Sequence, residues 1–254
     1  MDAPDTPSTA RMIDYWLGGG HHYPVDVAAA QAFEGVYGPC AHEFEALRSF
    51  LGRAVEHVVA RGIDEFLVLG AGIPTQGSVH EVAPHARVLY TDIDPANVDL
   101  GRRILGTSTR AAYAFGDATD TDAIDPGVMT RALPGWGKAP SGVVFLGLAA
   151  FIDDERLALA FDRLYDSVAA GSCLAFDFDT DVLAANPDAL AMMGPDFHMR
   201  DPASFAALLG RWRTSGEGIV PVAQWGRTAA GTVDHAAFYG GVAVKEDPGH
   251  AAGG

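Results

Sequence analysis

The chain has 254 residues, 48% hydrophobic and 20% charged, a composition that supports one large domain with a real core. Asp and Glu outnumber Lys and Arg by 33 to 17, and a net charge of −16 with no Lys/Arg cluster argues against nucleic acid as a partner. Cys40 and Cys173 have no framework spacing, the opening MDAPDTPSTAR has no apolar leader, and no apolar run reaches the roughly 18 residues of a membrane span; the chain reads as cytoplasmic, with no membrane partner.

In chain order, PSTARMIDYWL (7–17) predicts a helix with Ser8 or Thr9 as N-cap and an apolar face at Met12, Tyr15 and Trp16. The stretch DYWLGGGHHYPVD (14–26) then interrupts any helix, since Gly there costs about 1 kcal/mol and Pro about 3. A long helix follows over 41–62, with Phe44, Leu47, Leu51, Val55 and Val58 on one face and Gly62 at its end. Continuous apolar runs at 66–70, 86–94, 110–118, 142–151 and 172–179 predict strands buried on both faces, separated by helical stretches such as 153–171. GIVPVAQW (218–225) and HAAFYGGVAVK (235–245) predict a closing pair.

The expected architecture is α/β: a mostly parallel seven-stranded sheet with helices on both faces. The expected units are a helical cap over 1–62, a sheet domain over 63–246 and a disordered tail over 247–254. Phe178 reads as core, and the alternating Asp177, Asp179 and Asp181 read as a solvated edge.

The chemistry begins at FLVLGAGIPTQG. Gly70 and Gly72 directly follow the first strand, where glycines let backbone N–H groups approach a ligand. Asp92 ends the second strand, twenty residues beyond Gly72, where a carboxylate accepts hydrogen bonds from ribose hydroxyls. Asp117 ends the third strand, where a carboxylate suits the exocyclic amine of a base. A dinucleotide turn would need glycine at position 75, and the chain has Pro74 and Thr75 instead. A nucleoside without a diphosphate fits better, and S-adenosylmethionine is such a ligand.

PSTARMIDYWLGGG, FLVLGAGIPTQGSVHEVAP and ARVLYTDIDP together resemble an actinobacterial family of S-adenosylmethionine-dependent methyltransferases once classed as a domain of unknown function. The resemblance runs over most of the chain, including RSFLGRAVEHVVARGIDEF and IVPVAQW. It implies a Rossmann-like methyltransferase fold with an N-terminal helical cap; the leading reading is a methyltransferase acting on a small molecule, in secondary metabolism. It also implies that the turn of Gly70, Ala71 and Gly72 cradles the methionyl arm, that Asp92 holds the ribose and that Asp117 and Ala118 flank the adenine, with Thr75, Ile93 and Gly147 as further cofactor-binding residues. Arg11, Asp14, Tyr15, Gly18 and Gly19 would close over it, with Arg11 a candidate partner for its carboxylate.

The chain departs from the family pattern at three places. Val68 stands where an acidic residue is usual, Gly20-His21-His22-Tyr23 replaces Lys-Asp-Asn-Phe, and Ala149-Ala150-Phe151 replaces a Leu-His-Phe-like ending. On this reading GGGHHYP is a turn over the ligand, with His21 or His22 as general base beside an acceptor held by Trp16, Tyr23 and Phe151. His198 and His235 are further candidates for the acceptor side. The same His-His pair is also what an ordinary solvated turn looks like, and its spacing gives no metal site. Two alternatives stay open: a cofactor-binding protein without methyl transfer (regulatory, or catalysing a rearrangement), and a nicotinamide-dependent oxidoreductase.

Overall fold

The computed structural model describes residues 5–227 and 236–247; His235 and the tail from residue 248 lie outside the described residues. Helix α1 (Thr9–Trp16) follows Ser8, whose backbone N–H is held by Asp26 Oδ1 at 2.9 Å. It ends where Gly18 turns to φ +71°. Helix α2 (Pro24–Tyr37) was not foreseen from the sequence, yet its start carries local signals. Pro24 brings a helical φ to the first turn, and Asp26 reaches back to the Tyr23 N–H at 2.8 Å. Helix α3 (Ala41–Ala60) buries Phe50, Leu51, Ala54, Val55 and Val58, and packs against the sheet.

The strands are β1 (Glu65–Leu69), β2 (Arg87–Asp92), β3 (Ala111–Phe115), β4 (Gly142–Phe145), β5 (Cys173–Asp179), β6 (Arg213–Thr214), β7 (Val220–Pro221) and β8 (Phe238–Val244). They form one eight-stranded sheet in the order β3-β2-β1-β4-β5-β8-β6, with β7 also on β8. The first five are parallel, and β8 runs antiparallel to β5. The expected seven strands are therefore corrected to eight. The extra strand, β6, has only two residues, too short to show alternation in sequence. The expected strand over 218–225 shrinks to Val220–Pro221, after which the chain turns.

Helices α4 (Val79–Val82), α5 (Pro95–Leu105), α6 (Pro126–Ala132), α7 (Asp154–Ser167), α8 (Pro187–Met193) and α9 (Pro202–Leu208) complete the chain. Alternate residues of β1 feed two cores: Phe66 and Val68 pack with α3, whereas Leu67 and Leu69 pack with α7 and α9. In the second core Phe205 stacks on Phe178 at 4.3 Å and on Phe176 at 5.2 Å. A smaller core under the cap joins Trp16, Ala30 and Cys40.

Because β8 covers the far side of β5, Asp177 lies in the sheet interior with no exposure. The solvated edge expected at that position is corrected accordingly. The chain winds outward from β1 to β3, then crosses back to β4. That reversal opens a crevice at the C-terminal ends of β1 and β4, where open α/β sheets bind ligands.

Candidate functional site

The crevice is a cleft of about 440 Å³, walled by the turns after β1, β2 and β4 and roofed by α1 and α3. Its floor is the turn after β1. Gly70 at φ +53° and Gly72 at φ +58° occupy the left-handed region, and a Cβ on Gly70 would run into Leu148. The turn is tied down on three sides. Ala71 N–H donates to the Thr91 carbonyl at 2.8 Å, Gly72 N–H to Asp92 Oδ2 at 2.9 Å, and Tyr113 Oη to the Gly72 carbonyl at 2.6 Å. Asp92 Oδ1 accepts the Asp94 N–H at 2.8 Å. Each Asp92 oxygen thus carries one protein hydrogen bond and keeps capacity to accept another.

The opposite wall is the turn after β4. Gly147, at φ +69°, donates its N–H to Asp177 Oδ1 at 2.6 Å. Asp177 Oδ2 is buried without a partner, and burial pushes this carboxyl up to about 7 against the pull of the Gly147 N–H. Phe151, 47% exposed, lines the cleft from a 3-10 turn and meets Phe197 edge-on at 5.8 Å. Buried Arg200 fixes that turn by donating to the Ala149 and Ile152 carbonyls, both at 2.6 Å.

Of the residues expected at the site, Gly70, Ala71, Gly72, Thr75, Asp92, Ile93, Gly147 and Phe151 stand together on the cleft wall, as does Asp14. The others stand elsewhere, each for a visible reason. Arg11 is turned away into the cap, where Nε donates to buried Asp26 at 2.8 Å and Nη2 to the Thr6 carbonyl at 2.7 Å, so its guanidinium is already occupied. Trp16 is cap core, stacked on Phe44 at 4.8 Å. Tyr15 faces Gln31 and the His22 ring. Tyr23 precedes α2 and lies under Arg11, 5.7 Å from its guanidinium.

Gly18 and Gly19 shape the cap turn without reaching the wall, as does His21, which is exposed. His22 Nδ1 is bonded to Asp14 Oδ2 at 2.9 Å. Asp117 closes a local turn by accepting the Thr119 N–H at 2.8 Å, and Ala118 packs on the second core. His198 touches the Phe151 turn only through its backbone, donating to the Ala150 carbonyl at 2.7 Å.

The sequence reading missed Arg48, which lies on the wall from α3. One signal was present: it sits between Phe44 and Leu51 on the apolar face, where a cation is out of place. Among the described residues no three His, Cys, Asp or Glu side chains converge as a metal site, and no helix is long and apolar enough to cross a membrane.

The chain superimposes on the crystal structure of a Thermobifida fusca YX protein described as a candidate methyltransferase, with TM-score 0.85, 25% identity, and 95% of this chain and 96% of that one covered. A duf574 family protein from Streptomyces avermitilis gives TM-score 0.81, 28% identity and coverage of 95% and 98%. The fold is shared with magnesium protoporphyrin IX methyltransferase from Synechocystis PCC 6803, solved with bound S-adenosylhomocysteine, at TM-score 0.57 and 12% identity over 92% of this chain and 93% of that one. No curated protein matches the chain. The family model described as S-adenosyl methyltransferase matches residues 2–246, and with the fold and the cleft it places this chain in that family of S-adenosylmethionine-dependent methyltransferases.

Proposed function

We propose that the protein methylates a small molecule, an acceptor of secondary metabolism, with the cofactor lying across the cleft between β1 and β4. The observation that carries this reading is Asp92, held at the end of β2 by two backbone N–H groups, with acceptor capacity left on both oxygens. A ribose presents two adjacent hydroxyl donors that match it. Two glycines in the β1 turn supply a floor with no side chains, and Ile93, 60% exposed, offers an apolar face for a base.

S-adenosylmethionine supplies an electrophilic methyl group on a sulfonium, transferred in line with loss of a neutral thioether. The protein's part is then to position the acceptor and exclude water. Leu148 and Phe151 line the acceptor-facing rim with apolar surface. A cleft of about 440 Å³ is in the range of small-molecule pockets. Neither His21 nor His22 stands on the cleft wall, and we assign neither the role of base.

The test is incubation of the protein and a cell extract with cofactor labelled in its methyl group. Label in the low-molecular-weight fraction supports the reading. Label confined to protein or nucleic acid overturns it.

A further inference from the structure

The amino-acid arm of the cofactor is a zwitterion, so a site that holds it needs a cation for the carboxylate and an acceptor for the ammonium. The β1 strand supplies neither, because its last residues on the wall are Val68 and Leu69. Only three charged side chains line the cleft among the described residues: Asp14, Arg48 and Asp92. Asp92 is assigned to the ribose, at the end of β2. Asp14 and Arg48 remain.

Asp14 is 1% exposed. Its Oδ2 accepts the His21 N–H at 2.7 Å and bonds His22 Nδ1 at 2.9 Å, while its Oδ1 is buried with no partner. A buried carboxylate oxygen left unsatisfied is costly, and a ligand ammonium would relieve it. The glycine-rich segment explains how the chain folds around this carboxylate. Gly19 N–H donates to the Asp14 backbone carbonyl at 2.8 Å, and a Cβ on Gly19 would strike the Asp14 carboxylate. GGGHH is thus a holder for one acid.

Arg48 packs its stem beside Gly77 and makes no hydrogen bond or ion pair among the described residues. Burial pulls its pKa down, opposed by Tyr90, Glu81 and Asp14. Asp14 and Arg48 thus lie within electrostatic reach of each other on the cleft wall, and each keeps hydrogen-bonding capacity unmet.

We propose that Asp14 and Arg48 form a clamp for the amino-acid arm, Arg48 taking the carboxylate and Asp14 Oδ1 the ammonium, with His22 as a positioning residue for Asp14. This assignment rests on the cofactor placement proposed above. It replaces Arg11 as the carboxylate partner, since Arg11 is spent on Asp26.

Calorimetry with two ligands separates the possibilities. S-adenosylhomocysteine carries the amino-acid arm, and 5′-methylthioadenosine is a similar nucleoside thioether without it. The wild type is expected to bind the first more tightly. Asp14→Asn and Arg48→Met should each weaken S-adenosylhomocysteine by about tenfold to a hundredfold, as loss of a charged hydrogen bond does, and leave 5′-methylthioadenosine unchanged. Arg48→Lys, which keeps the charge but not the fork, should fall between.

Equal weakening of both ligands would mark a structural role and overturn the clamp, as would no weakening of either. Wild type binding both ligands equally would also overturn the clamp, whatever the variants' folding, while leaving the nucleoside site intact. Wild type binding neither ligand would instead overturn the cofactor placement itself.

Discussion

Replacing Asp177 by Asn should change how stability depends on pH. The group sits on β5 with no exposure, one oxygen on the Gly147 N–H and the other without a partner. Burial raises its carboxyl from 3.8 to about 7. The unfolded chain ionises this group near pH 4, the folded chain only near pH 7. Between those values the folded state binds the extra proton, so stability falls as pH rises and levels off above about 7.

Three units at 1.36 kcal/mol give about 4 kcal/mol as an upper bound, of which about 3 kcal/mol is expressed between about pH 5 and 8. Asn keeps the acceptor for Gly147 and removes the ionisation. Urea unfolding of both proteins at about pH 5, 6, 7 and 8 would therefore show wild type losing up to about 3 kcal/mol relative to Asp177→Asn across the range. Asp179 is also raised, by its burial and then by the like charge of Asp177, so the two titrate as a coupled pair. A stability difference that stays flat with pH, or grows in wild type's favour as pH rises, would refute the reasoning.

Three further perturbations follow from the packing. Phe205→Ala empties a fully buried position stacked on Phe176 and Phe178 and should cost about 3–5 kcal/mol in urea unfolding; a loss under about 1 kcal/mol would contradict that core. Tyr113→Phe removes the 2.6 Å bond to the Gly72 carbonyl and should cost about 1 kcal/mol of stability while loosening the β1 turn; unchanged affinity for S-adenosylhomocysteine would separate that bond from the site. Gly19→Ala brings a Cβ against the Asp14 carboxylate and should copy the ligand selectivity of Asp14→Asn; a fully wild-type profile would show that Asp14 has room to move.

The legible parts of the molecule were those written in local pattern. Five continuous apolar runs became the parallel strands β1 to β5, and Phe178, read as core, is buried near the end of β5. The spacing of Asp92 from Gly72 put both at one turn, where they are hydrogen-bonded. What local pattern omits is who covers whom. Asp177 read as an edge residue because nothing near it in sequence announces β8, about sixty residues later, pairing across from it. The His22 ring read as free because the Asp14 carboxylate that holds it, together with the His21 backbone N–H, is fixed by a tertiary turn, not by a motif. Arg11 looked available for the same reason: its partner Asp26 belongs to α2, a helix whose glycine-rich approach masked a proline-led start.

The central claim is that the carboxylate at the end of β2 receives the ribose of the cofactor. Titrating S-adenosylhomocysteine into wild type and into Asp92→Ala by calorimetry tests it directly. Loss of two charge-assisted hydrogen bonds predicts affinity at least about a hundredfold weaker in the variant, with a folded far-ultraviolet spectrum retained. Near-wild-type affinity in Asp92→Ala would contradict the account.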